Sequence, residues 1–151
     1  MSKKSKSKSS SSATAARHSL TIRSKVVLNR ILEVTSNSVR IEINEEGSIT
    51  GRYTGIQLDT IESMANPDGT STWSGKFMHM TNKGNMIVAT GSGTGEPAST
   101  KDIVKIRGEG EMWTRSTILA NLNGAKWTCE GESNTRKGSS VIYVDINETE
   151  Q

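Results

Sequence analysis

Alternation of apolar or small residues with polar ones runs through most of the chain after residue 38, and it restricts the fold more than any other feature. The clearest case is 104–112, VKIRGEGEM, where every second residue is apolar or glycine and the residues between are charged. A period of two is typical of β-strands with one buried and one solvated face, as in antiparallel sheets. The same period recurs in three other segments: 39–44, 73–80 and 125–132.

Turn sequences separate these segments, and they set how the strands connect. The turns are NPDG at 66–69, NKG at 82–84, NG at 123–124 and KG at 137–138. Hairpin turns between successive strands predict a meander, and residues 38–147 have room for about eight strands. Because a sheet of that many twisted strands tends to close and so remove its edges, we predict an all-β, antiparallel up-and-down barrel over 38–147. Residues 148–151 are left as a C-terminal tail.

The chain before the barrel divides into two parts. Residues 1–16, MSKKSKSKSSSSATAA, have no side chains that could form a core, which predicts a disordered basic tail. For 17–37 we predict a short amphipathic linker helix, although 20–22 could equally begin a strand. The helix rests on apolar residues that recur at helical spacing: Leu20, Val27, Leu28, Ile31 and Val34.

The positive charge of the chain belongs to its N-terminus. Residues 1–32 hold 8 of the 19 basic residues and none of the 16 acidic ones, so the remainder carries 11 basic and 16 acidic residues, a balance of −5. This argues against nucleic-acid binding by a basic face of the domain. The tail can make non-specific contacts with nucleic acid or an anionic surface, or it is a solubilising leader. The basic residues of the tail are Lys3, Lys4, Lys6 and Lys8.

The sequence gives little indication of a metal site, a cofactor site or a transmembrane segment. Cys129 is the only cysteine, which excludes an intrachain disulfide and a multi-cysteine zinc site and favours the cytoplasm. No His, Cys and Asp residues have metal-ligand spacing, and no run of eighteen or so apolar residues occurs. The segment 91–96, GSGTGE, lacks the final lysine of a phosphate loop. We therefore expect no metal, no cofactor and no transmembrane segment.

A thin apolar core is expected. Leu, Ile, Val and Phe make up 28 of 151 residues, and glycines occur at every second position in 91–95 and 108–110. Glycines in register fit where a tightly curved sheet crowds its interior. Because such a core would gain from a second surface to bury, we expect a homo-oligomer.

Three segments resemble the allene oxide cyclase-like barrels of the calycin group: RYTGIQLDTIESMANPDGTSTWSGKF (52–77), TNKGNMIVATGSGTGE (81–96) and VKIRGEGEMWTRSTILANLNG (104–124). The resemblance covers 39–146 and rests on strand rhythm, long hairpins and Gly-x-Gly pairs. It implies a small eight-stranded barrel. The group contains cyclases and lipocalin-like binders, and no catalytic residue of the group can be placed on this chain.

A candidate site follows from which side chains share a strand face. Residues 73, 77 and 79 share one face, which puts a titratable histidine among aromatic rings if that face points inward. Gln57 and Asp59 share a face of another segment and would add polar groups to the lumen, unless Ile56 and Leu58 point inward instead. The predicted ligand-binding residues are Gln57, Asp59, Trp73, Phe77, His79 and Trp127.

Three functions remain open from the sequence. The first is a binding module for a small, largely apolar molecule in the lumen. The second is a cyclase or isomerase acting on a lipid-like substrate, with His79 or Asp59 as catalytic candidates. The third is a filled barrel with a structural or interaction role, which a lumen below about 300 Å³ would favour.

Overall fold

The computed structural model describes residues 18–150, which form a closed barrel of eight antiparallel strands. Each strand pairs with the next one in the chain, and β8 pairs with β1 to close the sheet. The predicted all-β meander barrel is therefore confirmed. The strands are β1 (Leu20–Val34), β2 (Val39–Gly51), β3 (Gly55–Ala65), β4 (Ser71–Thr81), β5 (Met86–Pro97), β6 (Ile103–Thr114), β7 (Ala125–Asn134) and β8 (Ser139–Asn147).

The helix predicted for 17–37 is wrong, because these residues supply β1, the strand that closes the barrel. Residues 20–25 pair with β8 on one side, while β1 pairs with β2 on the other. Leu20, Ile22 and Ser24 are buried at a period of two, and the β-branched residues here favour an extended backbone. The barrel thus begins at Leu20 and not at 38. The predicted disordered tail, 1–16, lies outside the described residues.

The second half of β1 explains why the helical spacing was misleading. Beyond Lys25, β1 no longer pairs with β8 and continues to Val34 paired with β2, with register irregularities at 26–28 and 31–33. Most of its apolar side chains therefore lie in solvent rather than on the barrel, and Ile31 is 72% exposed, while Val26 and Leu32 are half-buried. The pattern arose from irregular pairing of an edge strand, not from one buried helical face. The exposed apolar residues of this extension are Val27, Leu28, Ile31 and Val34.

One end of the barrel is closed by side chains from its turns. Tyr53 from the β2–β3 turn, and Leu119 and Leu122 from the β6–β7 connection, are all buried at this end. Leu122 belongs to a 3₁₀ turn, Ala120–Leu122. Within residues 18–150 no helix has the length and apolar character needed to cross a membrane. We call this end the floor, and the opposite end, with the β1–β2, β3–β4, β5–β6 and β7–β8 turns, the mouth.

Glycines make room inside the barrel for two indole rings. Gly91 pairs with Gly110 across β5 and β6, and Gly110 pairs with Trp127 across β6 and β7. A Cβ at Gly91 would overlap the ring of Trp127, and one at Gly108 would overlap the ring of Trp73. The alternating glycines therefore lie beneath large flat side chains that an alanine would displace.

Candidate functional site

The lumen contains a cavity of about 290 Å³ that extends to residues of the β7–β8 turn at the mouth. All six residues predicted to bind a ligand line it. The open question of which face of β3 points inward is settled by burial, because Gln57 and Asp59 are 5% and 7% exposed and Ile56 is 55% exposed. The volume falls just below the limit of about 300 Å³ for small-molecule sites, so volume taken alone slightly favours a filled barrel. The case for a ligand site therefore rests on which side chains line the cavity.

One wall of the cavity is aromatic. Trp73 and Phe77 lie on the same face of β4 with ring centroids 6.5 Å apart, and Phe77 lies 5.8 Å from Trp127 of β7. Both pairs meet edge to face, an arrangement that aromatic rings favour. These three side chains form a continuous apolar surface, which we call the aromatic wall.

Beside the aromatic wall, a polar wall carries a chain of buried hydrogen bonds that starts at the floor. Tyr53 Oη lies 2.6 Å from His79 Nδ1, and His79 Nε2 lies 2.7 Å from Gln57 Oε1. Gln57 Nε2 then donates to Asp59 Oδ2 at 2.7 Å. Residues of the β2–β3 turn, β3 and β4 thus hold one another in a fixed order.

The direction of these hydrogen bonds follows from the Gln57 amide. Its NH₂ group faces a carboxyl oxygen, so its carbonyl oxygen faces the histidine and can only accept. His79 Nε2 therefore carries the proton, and His79 Nδ1 accepts from the Tyr53 hydroxyl. Burial lowers the pKa of His79 to about 4, so the ring is neutral at pH 7. With both ring nitrogens engaged, His79 positions its neighbours and is not a free base.

Two carboxyl groups meet at the end of this chain. Glu45 of β2 is the direct cross-strand partner of Asp59, and its Oε2 accepts a hydrogen bond of 3.3 Å from the Ser24 hydroxyl. Burial first, and the charge of Glu45 second, raise the pKa of Asp59 to about 8. Burial also raises the pKa of Glu45. The pair therefore holds a shared proton near neutral pH.

Two buried polar atoms in the lining residues have no hydrogen-bond partner among residues 18–150, the indole nitrogens of Trp73 and Trp127. Asp59 Oδ1 receives no hydrogen bond from an N–H or O–H group either, but the proton shared with Glu45 satisfies the carboxyl pair. A buried polar group without a partner costs about 1–3 kcal/mol, so such groups are uncommon in folded proteins. Both indole nitrogens belong to side chains that line the cavity, although the nitrogen atoms themselves have almost no exposed area.

Sequence reasoning missed Glu45, Tyr53 and Ser24. A signal for Glu45 existed, because positions 39, 41 and 43 were recognised as one face and 45 continues it. Two adjacent glutamates are typical of a solvated surface, yet Glu45 is 8% exposed. Tyr53 lies in a turn, where alternation carries no information, and Ser24 lies in the segment taken for a helix.

The arrangement provides an amphipathic lumen that suits an organic molecule. Within residues 18–150 no group of three or more His, Cys, Asp or Glu side chains is placed to hold a metal ion. The lumen instead offers an aromatic wall and a polar wall with one shared proton. These groups can bind a small apolar body and hydrogen-bond its polar atoms.

The fold defines a class, the small closed antiparallel barrel of eight strands, and solved structures with this fold exist. A conserved protein of unknown function from Rhodopseudomonas palustris is 14% identical, with a TM-score of 0.70 over 85% of this chain and 95% of its own. A protein of unknown function from Clostridium acetobutylicum is 14% identical, with a TM-score of 0.72 over 86% and 95%. An enzyme from Penicillium herquei is 17% identical, with a TM-score of 0.57 over 83% and 90%.

At these identities the likeness shows the fold alone. Neither a protein-family description nor a curated protein matches the sequence.

Proposed function

We propose that the protein is a binding module for a small, largely apolar molecule held in the barrel lumen. The observation that supports this most strongly is a cavity lined by an aromatic wall with a buried carboxyl pair beside it. A barrel filled for structural purposes alone would have no reason to bury two carboxyl groups next to free space, because their desolvation costs free energy. A bound molecule would cover the aromatic wall and could contact the carboxyl pair.

The position of the cavity supports the same proposal. The floor is closed by Tyr53, Leu119 and Leu122, while the lining reaches the mouth at Thr135 and Gly138. A ligand can thus enter from one end only and comes to rest against a rigid hydrogen-bonded base. Enclosure on most sides is what gives small-molecule sites their affinity.

Native mass spectrometry of protein expressed in its natural host tests the proposal. We expect a bound mass that is released on mild denaturation. Ala89 is 8% exposed and lines the lumen, so Ala89→Phe should fill the cavity and abolish that mass. Val88 is the neighbouring residue and 42% exposed, so Val88→Phe should keep it. If all three proteins show only the apo mass and bind no neutral probe such as naphthylethanol, the filled-barrel interpretation replaces this one.

A second candidate function is a cyclase or isomerase that acts on a lipid-like substrate in the same lumen, as the resemblance to allene oxide cyclase-like barrels suggests. The supporting observation is Asp59, which retains a proton near neutral pH beside an unfilled cavity. A positioned acid of this kind typically contributes a rate factor of about 10²–10⁴. If the molecule released in the previous experiment is converted on incubation, Asp59→Asn should abolish turnover while binding persists. Unchanged turnover in that variant would refute the role.

A further inference from the structure

The charge of the lumen is one-sided. Its lining includes two carboxyl side chains, Glu45 and Asp59, and no lysine or arginine among the described residues. Glu45 and Asp59 are 8% and 7% exposed, so water screens them poorly. The nearest titratable neighbour, His79, is neutral at pH 7. The cavity therefore carries net negative charge without an internal counter-ion.

The other titratable groups in contact with the lumen do not change this balance. Burial and the charge of Glu130 raise the pKa of Cys129 to about 11, so its thiol stays neutral. Burial also raises the pKa of Tyr53, whose hydroxyl stays protonated. Asp59, whose pKa is about 8, is the group of the carboxyl pair that changes charge in the neutral to mildly alkaline range.

The carboxyl pair lies directly beside the aromatic wall. In the register of the sheet, Glu45 is opposite Asp59, and Asp59 is opposite Phe77. Trp127 lies 5.8 Å from Phe77. A cation that contacts the carboxyl groups is therefore within reach of ring faces, which attract cations at about 6 Å from the ring centroid.

The contact between the carboxyl groups of Glu45 and Asp59 shows what a cation would replace. Two buried carboxyl groups in contact need either a shared proton or an external cation to offset their repulsion. A bound ammonium would donate to Asp59 Oδ1 and replace the proton. A bound carboxylate would meet repulsion and find no basic side chain.

We propose that the lumen selects an organic cation, an amine whose ammonium group lies between Glu45 and Asp59 and whose apolar body lies along the aromatic wall. This deepens the proposed binding function and rests on it. Fatty acids and other carboxylates are excluded as ligands by the same charges. Binding releases the proton that the two carboxyl groups share, so amine affinity rises with pH.

Isothermal titration calorimetry of the full chain with three naphthyl probes tests the selection. Naphthylethylamine should bind at pH 8 at least about tenfold more tightly than naphthylethanol, and naphthylacetate should bind least. Between pH 6 and pH 8 the amine affinity should rise by up to about tenfold per pH unit. Titrations in phosphate and in Tris should differ in heat, because a proton is released to the buffer.

Two variants separate the carboxyl pair from general surface charge. In Glu45→Gln/Asp59→Asn the amine should lose its advantage over the alcohol, and Asp59→Asn alone should remove most of the pH dependence. Glu46 is the adjacent residue on the outer face of β2 and is exposed. Glu46→Gln also removes one negative charge, but it should change neither the advantage of the amine over the alcohol nor the pH dependence of amine binding.

The outcomes distinguish the two proposals. If the alcohol or the carboxylate binds as tightly as the amine, the cation inference fails while the binding function stands. If none of the three probes binds, the cation inference fails, and the binding function fails with it when native mass spectrometry also shows only the apo mass. An amine advantage that survives the double substitution would also overturn the assignment to Glu45 and Asp59.

Discussion

Replacing Asp59 by asparagine should stabilise the protein above neutral pH and flatten its pH profile. Asparagine has the shape of a protonated aspartate: its carbonyl oxygen can accept from Gln57, and its NH₂ group can donate to Glu45. The substitution therefore keeps the hydrogen bond of 2.7 Å from Gln57 Nε2. It removes the negative charge that Asp59, a residue only 7% exposed, carries at high pH. What it removes is the free-energy cost of ionising a buried carboxyl beside another.

The size of the effect follows from proton linkage. The pKa of Asp59 is about 8 in the folded chain and 3.8 in the unfolded chain, so the folded state binds the extra proton between these values. The extra proton makes its full contribution to the free energy of unfolding below pH 3.8, and this contribution is lost as the pH rises towards 8. His79 has the opposite effect between its folded value of about 4 and its unfolded value of 6.5, since there only the unfolded state binds the proton. Above pH 6.5 the effect of His79 on the free energy of unfolding no longer changes with pH, so the effect of Asp59 is seen alone.

Between pH 6.5 and pH 8 the free energy of unfolding should therefore fall by up to about 1.4 kcal/mol per pH unit, or roughly 2 kcal/mol in total. The raised pKa of Glu45 acts in the same direction. Urea unfolding followed by tryptophan fluorescence measures this at each pH. Asp59→Asn should show a markedly shallower profile and exceed the wild type at pH 8.

A matched control separates the pair from aspartates in general. Asp68 is fully exposed, and hydrogen bonds from Thr70 lower its pKa, so its contribution is lost only as the pH falls through the acid range. Asp68→Asn should leave the slope between pH 6.5 and pH 8 unchanged. A wild-type profile that is flat in this window, or an Asp59→Asn profile with the wild-type slope, would refute the reasoning about the buried pair.

Three further predictions concern the floor, the glycines and the tail. Leu122→Ala should lower stability by about 2–5 kcal/mol because Leu122 is fully buried at the floor, whereas Ile118→Ala, at a site 76% exposed, should change it little; chemical denaturation compares them. Gly91→Ala should cost about 1–3 kcal/mol because its Cβ would overlap Trp127, and thermal unfolding that matches the wild type would contradict this packing. Deletion of 1–16 should abolish any salt-sensitive retention on a nucleic-acid column, and retention that persists would assign it to the barrel.

Most of the barrel could be predicted from the sequence because its restraints are local. The alternation in 104–112 and the turn residues at 66–69 and 123–124 each depend on only a few neighbouring residues. Closure followed from the number of strands and from the cost of exposed edges. The sequence placed His79 on one face with Trp73 and Phe77 but left the direction of that face open, and the burial of His79 shows that it points inward.

The first strand could not be predicted because its pattern reflects distant pairing. Only Leu20–Lys25 lies between two strands, and the remainder extends past β8 with two irregularities of register. Each irregularity shifts the face on which side chains lie, so apolar residues recur at spacings of three and four without a helix. Homo-oligomerisation, expected from the thin core, stays a prediction that sedimentation velocity can test.

The polar wall was the hardest part to predict, because its hydrogen bonds join residues that are far apart in the sequence and adjacent only in the folded barrel. The chain from Tyr53 to Asp59 joins a turn and two strands, and the contact with Glu45 adds a third strand. In the sequence these residues are spread over 45–79 and alternate with unrelated surface residues. Gln57 and Asp59 were recognised as a pair, but alternation alone gave no reason to choose their face over that of Ile56.

The placement of these polar residues is itself an argument for a site. A barrel with few large apolar residues gains most by turning apolar side chains inward, yet five buried inward positions on the adjacent strands β1 to β4 carry polar groups. They lie together beside the aromatic residues of β4. Departures from the pattern that a fold requires are expected where function outweighs stability. The polar inward residues are Ser24, Glu45, Gln57, Asp59 and His79.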